Sequence, residues 1–144
     1  MIGFFEYQYL SFKKNNLSNL VALAAIDGHI HQDEIDYLFK VGKKYQLKTH
    51  QIQEILDQKE QLEVKIPEEH YQKVAILYDL IGMMLADHVI DDAEMDFCKS
   101  MFERFGYRAD LVDEMIECFR KENGDFREWE KTVEKAKQYQ IDSK

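Results

Sequence analysis

The chain has 144 residues, of which 45% are hydrophobic and 33% charged, a composition typical of folded globular proteins and not of disordered ones. Its formal net charge is −9, so no nucleic-acid partner is expected, because binding to phosphates requires a basic surface. One Pro and six Gly in the whole chain favour helices, since both residues interrupt or weaken them.

The sequence also predicts where the protein resides. No stretch is apolar over the roughly 20 residues that a membrane-spanning helix needs, so direct membrane insertion is not expected. The N-terminus lacks the basic start of a secretory signal. Cys98 and Cys118 lie on predicted helices and are expected to be thiols in a reducing compartment. We therefore predict a cytoplasmic protein.

The first predicted element is a short helix within residues 1–14, rich in aromatic side chains. These side chains are expected to cap the bundle or to contact a partner chain, which makes this segment the candidate interface of a homodimer. They are Phe4, Phe5, Tyr7, Tyr9 and Phe12.

Three helices are predicted to follow in the first half. The first spans residues 17–26 and is expected to end before Gly28, which adopts a left-handed conformation at little cost. The second spans 32–46. The third begins after Thr49, a candidate N-cap, and extends to about residue 60.

The second half begins after a linker predicted at residues 61–66. Pro67 is expected to occupy the first position of a helix that reaches residue 86, because a helix start does not need its missing N–H. Asp91 followed by Glu94 predicts a capping box at the next helix, and Gly106 is expected to end that helix.

Two further helices are predicted near the C-terminus. They span residues 109–122 and 125–139, and Asn123 with Gly124 separates them. The last one is strongly charged. It places Phe126, Trp129, Val133 and Ala136 on one face.

The chain contains an internal repeat, because residues 17–60 align with residues 77–120 at a constant offset and without a gap. Apolar residues recur at helical spacing in both copies. We therefore predict an all-α, single-domain bundle of about seven to eight helices over residues 1–144, built from two pseudo-symmetric three-helix repeats. The identical pairs are Leu17/Leu77, Leu20/Leu80, Asp27/Asp87, Ile30/Ile90, Glu34/Glu94, Asp36/Asp96 and Glu54/Glu114.

The turn between the first two helices of each repeat is the most informative motif. It has Asp, then Ile three residues later, then Glu seven residues later, as Asp27, Ile30 and Glu34 and again from Asp87 to Glu94. An EF-hand is excluded, because its first and third ligand positions would fall on the apolar residues Leu23 and Ala25.

The stretch 20–34, which reads LVALAAIDGHIHQDE, resembles the TerB-like family, and the stretch 80–94 matches the same pattern. This family includes a tellurite-resistance protein and the membrane-proximal domain of a co-chaperone. The resemblance implies an all-α bundle of about seven helices with two related halves. It also implies an acidic cluster, proposed as a metal site, where the two loops meet. His88 departs from the pattern, since Gly occupies the equivalent position 28.

Two interpretations of the repeated turns remain open. In the first, the acids only cap helix starts, and Ile30 and Ile90 fill the core. In the second, the two loops meet and pool their carboxylates around a divalent metal ion, the one cofactor that the sequence offers as a candidate. Imidazole ligands would favour a transition metal over calcium. The candidate ligands are Asp27, Glu34, Asp87 and Glu94, assisted by His29, His31, His88 and Asp91.

These observations favour a non-enzymatic binding or scaffold module with a protein partner. By resemblance alone, its context would be a bacterial stress response related to tellurite or metal ions. The alternative is a co-chaperone-like interaction domain whose acidic loops are helix caps. An enzyme that uses paired carboxylates for metal-assisted hydrolysis is the third hypothesis, and it is not the one that we prefer.

Overall fold

The computed structural model describes residues 4–26, 31–86, 90–122 and 129–141, with side chains described over 13–26, 31–86, 90–121 and 130–141. These residues form seven α-helices and one 3₁₀ turn, with an isolated β-bridge and no strand, so the predicted all-α class is confirmed. Within this part of the chain, no helix is long and apolar enough to cross a membrane. The helices are α1 (Phe4–Ile26), α2 (Gln32–Lys44), α3 (Thr49–Asp57), α4 (His70–Leu85), α5 (Asp92–Arg104), α6 (Leu111–Glu122) and α7 (Trp129–Lys137).

The chain divides into two compact units, Met1–Lys65 and Ile66–Lys144. The boundary falls within the linker predicted at residues 61–66. The first unit contains α1 to α3 and the 3₁₀ turn Lys59–Gln61, and the second contains α4 to α7. That residues 1–144 form one domain stays a prediction.

Helix α1 is one continuous helix, so the predicted separation of a short N-terminal helix from a second helix at residue 17 is wrong. The physical reason is that residues 4–26 contain neither Gly nor Pro, and nothing in them interrupts the backbone hydrogen bonds. Asn19 fixes α1 to the end of the unit: its side chain donates to the Lys65 carbonyl at 2.8 Å and accepts from the Lys65 amide at 2.8 Å. Leu17 and Leu20 are fully buried in the core.

Helix α3 begins one residue earlier than the predicted cap implies. Lys48 is the N-cap residue, and Thr49 is already helical. The Lys48 amide donates to Oε1 of Gln51 at 2.8 Å, which satisfies a donor that the helix leaves open. The Thr49 hydroxyl instead accepts a hydrogen bond from Nζ of Lys43 at 2.5 Å.

Helix α4 begins at His70, so the prediction that Pro67 occupies its first position is wrong. Tertiary contacts hold the helix start, because the His70 ring forms hydrogen bonds with both the Tyr107 hydroxyl, at 2.6 Å, and the Val133 carbonyl, at 2.8 Å. Helix α4 forms the centre of the second unit and packs against α5, α6 and α7. From Val74 onward its apolar side chains are buried, except those of Ala75 and Leu85, which are half-buried.

Helix α7 is described from Trp129, and the predicted start at residues 125–128 lies outside the described residues. The same is true of Phe126 and of the Trp129 side chain. On the predicted apolar face, Ala136 is buried and Val133 is half-buried. After α7 the chain returns to the end of α5, where Tyr107 and Gln140 form an antiparallel bridge.

Helices α2 and α5 end in the same way, which supports the internal repeat at the level of single hydrogen bonds. Gln46 and Gly106, at equivalent positions, have positive φ values of 65° and 96°. The amide of the following residue donates a hydrogen bond to the carbonyl of the residue five positions earlier. Leu47 donates to Gly42 and Tyr107 to Phe102, at 2.9 Å in both copies. This is a Schellman motif, so Gly106 ends its helix as predicted.

Candidate functional site

The turn before α2 places Glu34 in the first turn of the helix. Its Oε1 accepts a hydrogen bond from the His31 amide at 3.1 Å. The Glu34 side chain is only 3% exposed. A buried carboxylate requires hydrogen bonds or a counter-charge, and the backbone of its own turn supplies one of them.

The turn before α5 repeats this arrangement at the equivalent residues. Oε1 of Glu94 accepts from the Asp91 amide at 3.3 Å, and Oδ1 of Asp91 accepts from the Glu94 amide at 2.7 Å. These two reciprocal bonds form the capping box predicted for Asp91. Both repeated glutamates therefore contact a backbone N–H at a helix start.

Four of the eight predicted metal ligands lie within the described residues: His31, Glu34, Asp91 and Glu94. Across the described ranges, no three His, Cys, Asp or Glu side chains are grouped so that they could hold a metal ion. The other four candidates lie outside the described residues, and so does Ile30. They are Asp27, His29, Asp87 and His88.

Ile90 is half-buried and lines a groove between α5 and α6, so the expectation that it fills the core is wrong. The groove has a volume of about 600 Å³. Met95 and Ile116 add to its apolar floor. Its rim is acidic, with Asp110, Asp113, Glu114 and Glu117.

Sequence analysis missed this groove. The signal was the spacing of two carboxylate pairs, at positions 110 and 114 and at 113 and 117, since residues four apart share one face of a helix. The same spacing is common on solvent-exposed helix faces. Only the position of α5 beside α6 turns it into the rim of a groove.

Two of the four rim carboxylates form ion pairs. Asp110 accepts two hydrogen bonds from Arg108, at 3.1 and 3.0 Å, and these lower the pKa of Asp110 below its usual value. Glu114 pairs with Lys135, and this hydrogen bond raises the pKa of Lys135. Asp113 and Glu117 are exposed, and their carboxylates have no ion-pair partner among the residues that the structure describes.

The first unit has a groove at the equivalent place, between α2 and α3. It has a volume of about 360 Å³ and an apolar floor of Ile35 and Leu56, the counterparts of Met95 and Ile116. Its rim differs in charge. Gln53 stands where the second unit has Asp113, and Lys59 also lines the groove beside Asp57.

A second polar cluster ties the end of the chain to the start of α4. Nε2 of His70 lies 2.8 Å from the Val133 carbonyl, so this nitrogen carries the proton and donates, while Nδ1 accepts from the Tyr107 hydroxyl. The Gln140 side chain also approaches Nδ1, at 3.2 Å. Burial raises the pKa of Tyr107 to about 12, against a smaller lowering by its hydrogen bond with Gln140.

No protein-family model, curated protein or solved structure matches this chain. The resemblance to the TerB-like family therefore rests on the sequence motif around Asp27 to Glu34 and its repeat at Asp87 to Glu94. Membership of that family stays a prediction.

Proposed function

We propose that this protein is a non-enzymatic helical binding module whose repeated acidic turns cap helices and whose outer surface binds a protein partner. The observation that supports this proposal is the repeated pair of hydrogen bonds, from His31 N to Glu34 Oε1 and from Asp91 N to Glu94 Oε1. Each glutamate is engaged by the backbone of its own turn. Capping accounts for the spacing of the motif without a ligand.

The resemblance to the TerB-like family adds a biological context to this proposal. It implies a scaffold in a bacterial stress response, connected with tellurite or metal ions, and this connection depends on the resemblance alone. The absence of catalytic activity is part of the same proposal and stays a prediction.

A divalent-cation site at the repeated turns is the second candidate function. The burial of Glu34 favours it, because a cation would stabilise a carboxylate that water does not reach. Asp27 and Asp87 would be further ligands in this alternative. Removing the charge while keeping the cap distinguishes the two candidates.

The test uses Glu34→Gln/Glu94→Gln and Glu34→Ala/Glu94→Ala. Gln retains an oxygen that accepts the cap hydrogen bond but lacks the charge that a cation requires, whereas Ala lacks both. We expect thermal unfolding of the metal-free protein to be unchanged by Ca²⁺, Zn²⁺, Mn²⁺ or Ni²⁺. The Gln variant should remain close to the original, and the Ala variant should lose about 0.5–1.5 kcal/mol for each hydrogen bond.

The opposite result would establish the cation site. An ion at 100 times its dissociation constant stabilises the folded state by about 2.7 kcal/mol. If one of these ions produces such a shift in the original protein and none in the Gln variant, the turns bind a cation and the capping proposal fails.

A further inference from the structure

We propose that the groove between α5 and α6 binds an amphipathic helix of a partner protein, whose basic residues pair with the acidic rim and whose apolar residues contact the floor. This proposal rests on the proposed function, since it names the chemistry of the partner that a binding module would take. The acidic groove is defined here by Ile90, Met95, Asp113, Ile116 and Glu117.

The apolar residues in the lining of the acidic groove support a helical occupant. Its floor is apolar, with Ile90 and Met95 half-buried and Ile116 almost fully buried. A groove between two helices accepts a third helix through apolar side chains that recur every three or four residues. A volume of about 600 Å³ has room for several such side chains.

The charge of the rim identifies the occupant as basic. Four carboxylates and one guanidinium, that of Arg120, line the groove. Arg108 and Lys135 already pair with two of the carboxylates, Asp110 and Glu114. Asp113 and Glu117, one turn apart on α6, remain to pair with Lys or Arg side chains of a partner.

Local structure explains only part of this acidity. Asp113 lies in the first turn of α6, where the helix dipole favours a negative charge. Glu117 lies in the middle of the helix, where that effect has faded. The equivalent groove of the first unit keeps an acid, Asp57, at the position of Glu117 but has Gln53 at the position of Asp113, so the fold does not require both carboxylates.

The experiment measures binding of a synthetic peptide to the full chain by fluorescence anisotropy. The probe is a fluorescein-labelled 16-residue helix with Leu at every third or fourth position and Lys elsewhere. A peptide with Glu in place of every Lys is the charge control. The test variant is Asp113→Asn/Glu117→Gln, in which both substituted side chains are exposed.

The first unit offers a matched control variant, Glu54→Gln/Asp57→Asn. It removes the same number of charges from the equivalent helix, α3, and both of its side chains are exposed as well. Thermal unfolding confirms that each variant is folded. We expect the test variant to bind the basic peptide about 2- to 30-fold more weakly, as two lost surface ion pairs imply, and the control variant to change binding less than twofold.

Three outcomes would overturn the proposal. Equal weakening by both variants would mean that the peptide responds to the overall negative charge and not to this groove. No binding, or equal binding of the Glu peptide, would exclude a basic partner. Displacement of the peptide by Mn²⁺, lost in the test variant, would assign the rim to a cation. Since Glu34 and Glu94 are intact throughout, none of these outcomes depends on the capping test.

Discussion

The helix pair α2–α3 of the first unit and the pair α5–α6 of the second share a backbone plan but differ in packing. At equivalent positions, α2 has Gly42 and α5 has the fully buried Phe102. A Cβ atom on Gly42 would lie 2.5 Å from Cδ1 of Ile52, so α3 occupies the space that a side chain would need. The same turns and helix ends therefore tolerate two different ways of filling the space between the helices.

The two pairs also differ in the residue that ends the first helix and in the charge of the groove. Gln46 accepts a left-handed conformation that Gly106 adopts without strain. The residue after it is Leu47 in the first unit and Tyr107 in the second, where the Tyr107 hydroxyl forms a hydrogen bond with His70 at the start of α4. The hydroxyl of Tyr107 therefore gives the second unit a polar contact that the apolar side chain of Leu47 has no group to form.

The largest expected effect comes from removing the side chain that only the second pair has. Phe102→Ala should lower the free energy of unfolding by about 3–5 kcal/mol, because it leaves a cavity at a fully buried site. Chemical denaturation measures the loss. Glu103→Ala on the exposed face of the same helix is the control and should change stability by about 0.5 kcal/mol or less. A small loss for Phe102→Ala would mean that α5 and α6 close the gap as α2 and α3 do.

Exchanging the helix-ending residues should give smaller effects of opposite sign. Gly106→Gln should lower the free energy of unfolding by about 1–2 kcal/mol, which is the penalty for a non-Gly residue in the left-handed conformation. No clash adds to this penalty, because among the described residues no atom lies within 4 Å of the added Cβ. Gln46→Gly should raise the free energy of unfolding by about 0.5–1 kcal/mol, because the relief of the same strain exceeds the entropy cost of Gly. Changes of the same sign would show that the two ends are not equivalent.

The ionisation of Tyr107 has the smallest expected effect on stability, because it acts only at alkaline pH. Its pKa is raised to about 12 by burial, so its folded state holds the proton while the unfolded chain loses it near pH 10. The stability from this group is complete below pH 10 and falls as pH rises from about 10 to about 12, because the unfolded state then binds fewer protons.

Tyr107→Phe should reduce the loss of stability between about pH 10 and about pH 12. It should also remove one component, with a pKa of about 12, from the tyrosine absorbance titration. Tyr71→Phe, at an exposed position, should leave that component in place. An unchanged titration in Tyr107→Phe would assign the high pKa to another tyrosine.

Local sequence patterns determined most of the helices. Apolar residues at helical spacing located α2, α5 and α6, and short-range signals such as Asp91 with Glu94 and the glycine at 106 located two of their ends. The repeat at a constant offset was visible in the sequence because each copy must bury the same helix faces. These features depend on residues within a few positions of one another, so the sequence carries them directly.

Tertiary structure decided the features that depend on distant residues. Helix α4 starts at His70 and not at Pro67, where the His70 ring meets Tyr107 and Val133, which lie 37 and 63 residues away along the chain. The acidic groove exists because α5 lies beside α6, although its carboxylates look like an ordinary exposed helix face in the sequence. Spacing along the chain defines the face of a helix, but only packing determines what that face meets.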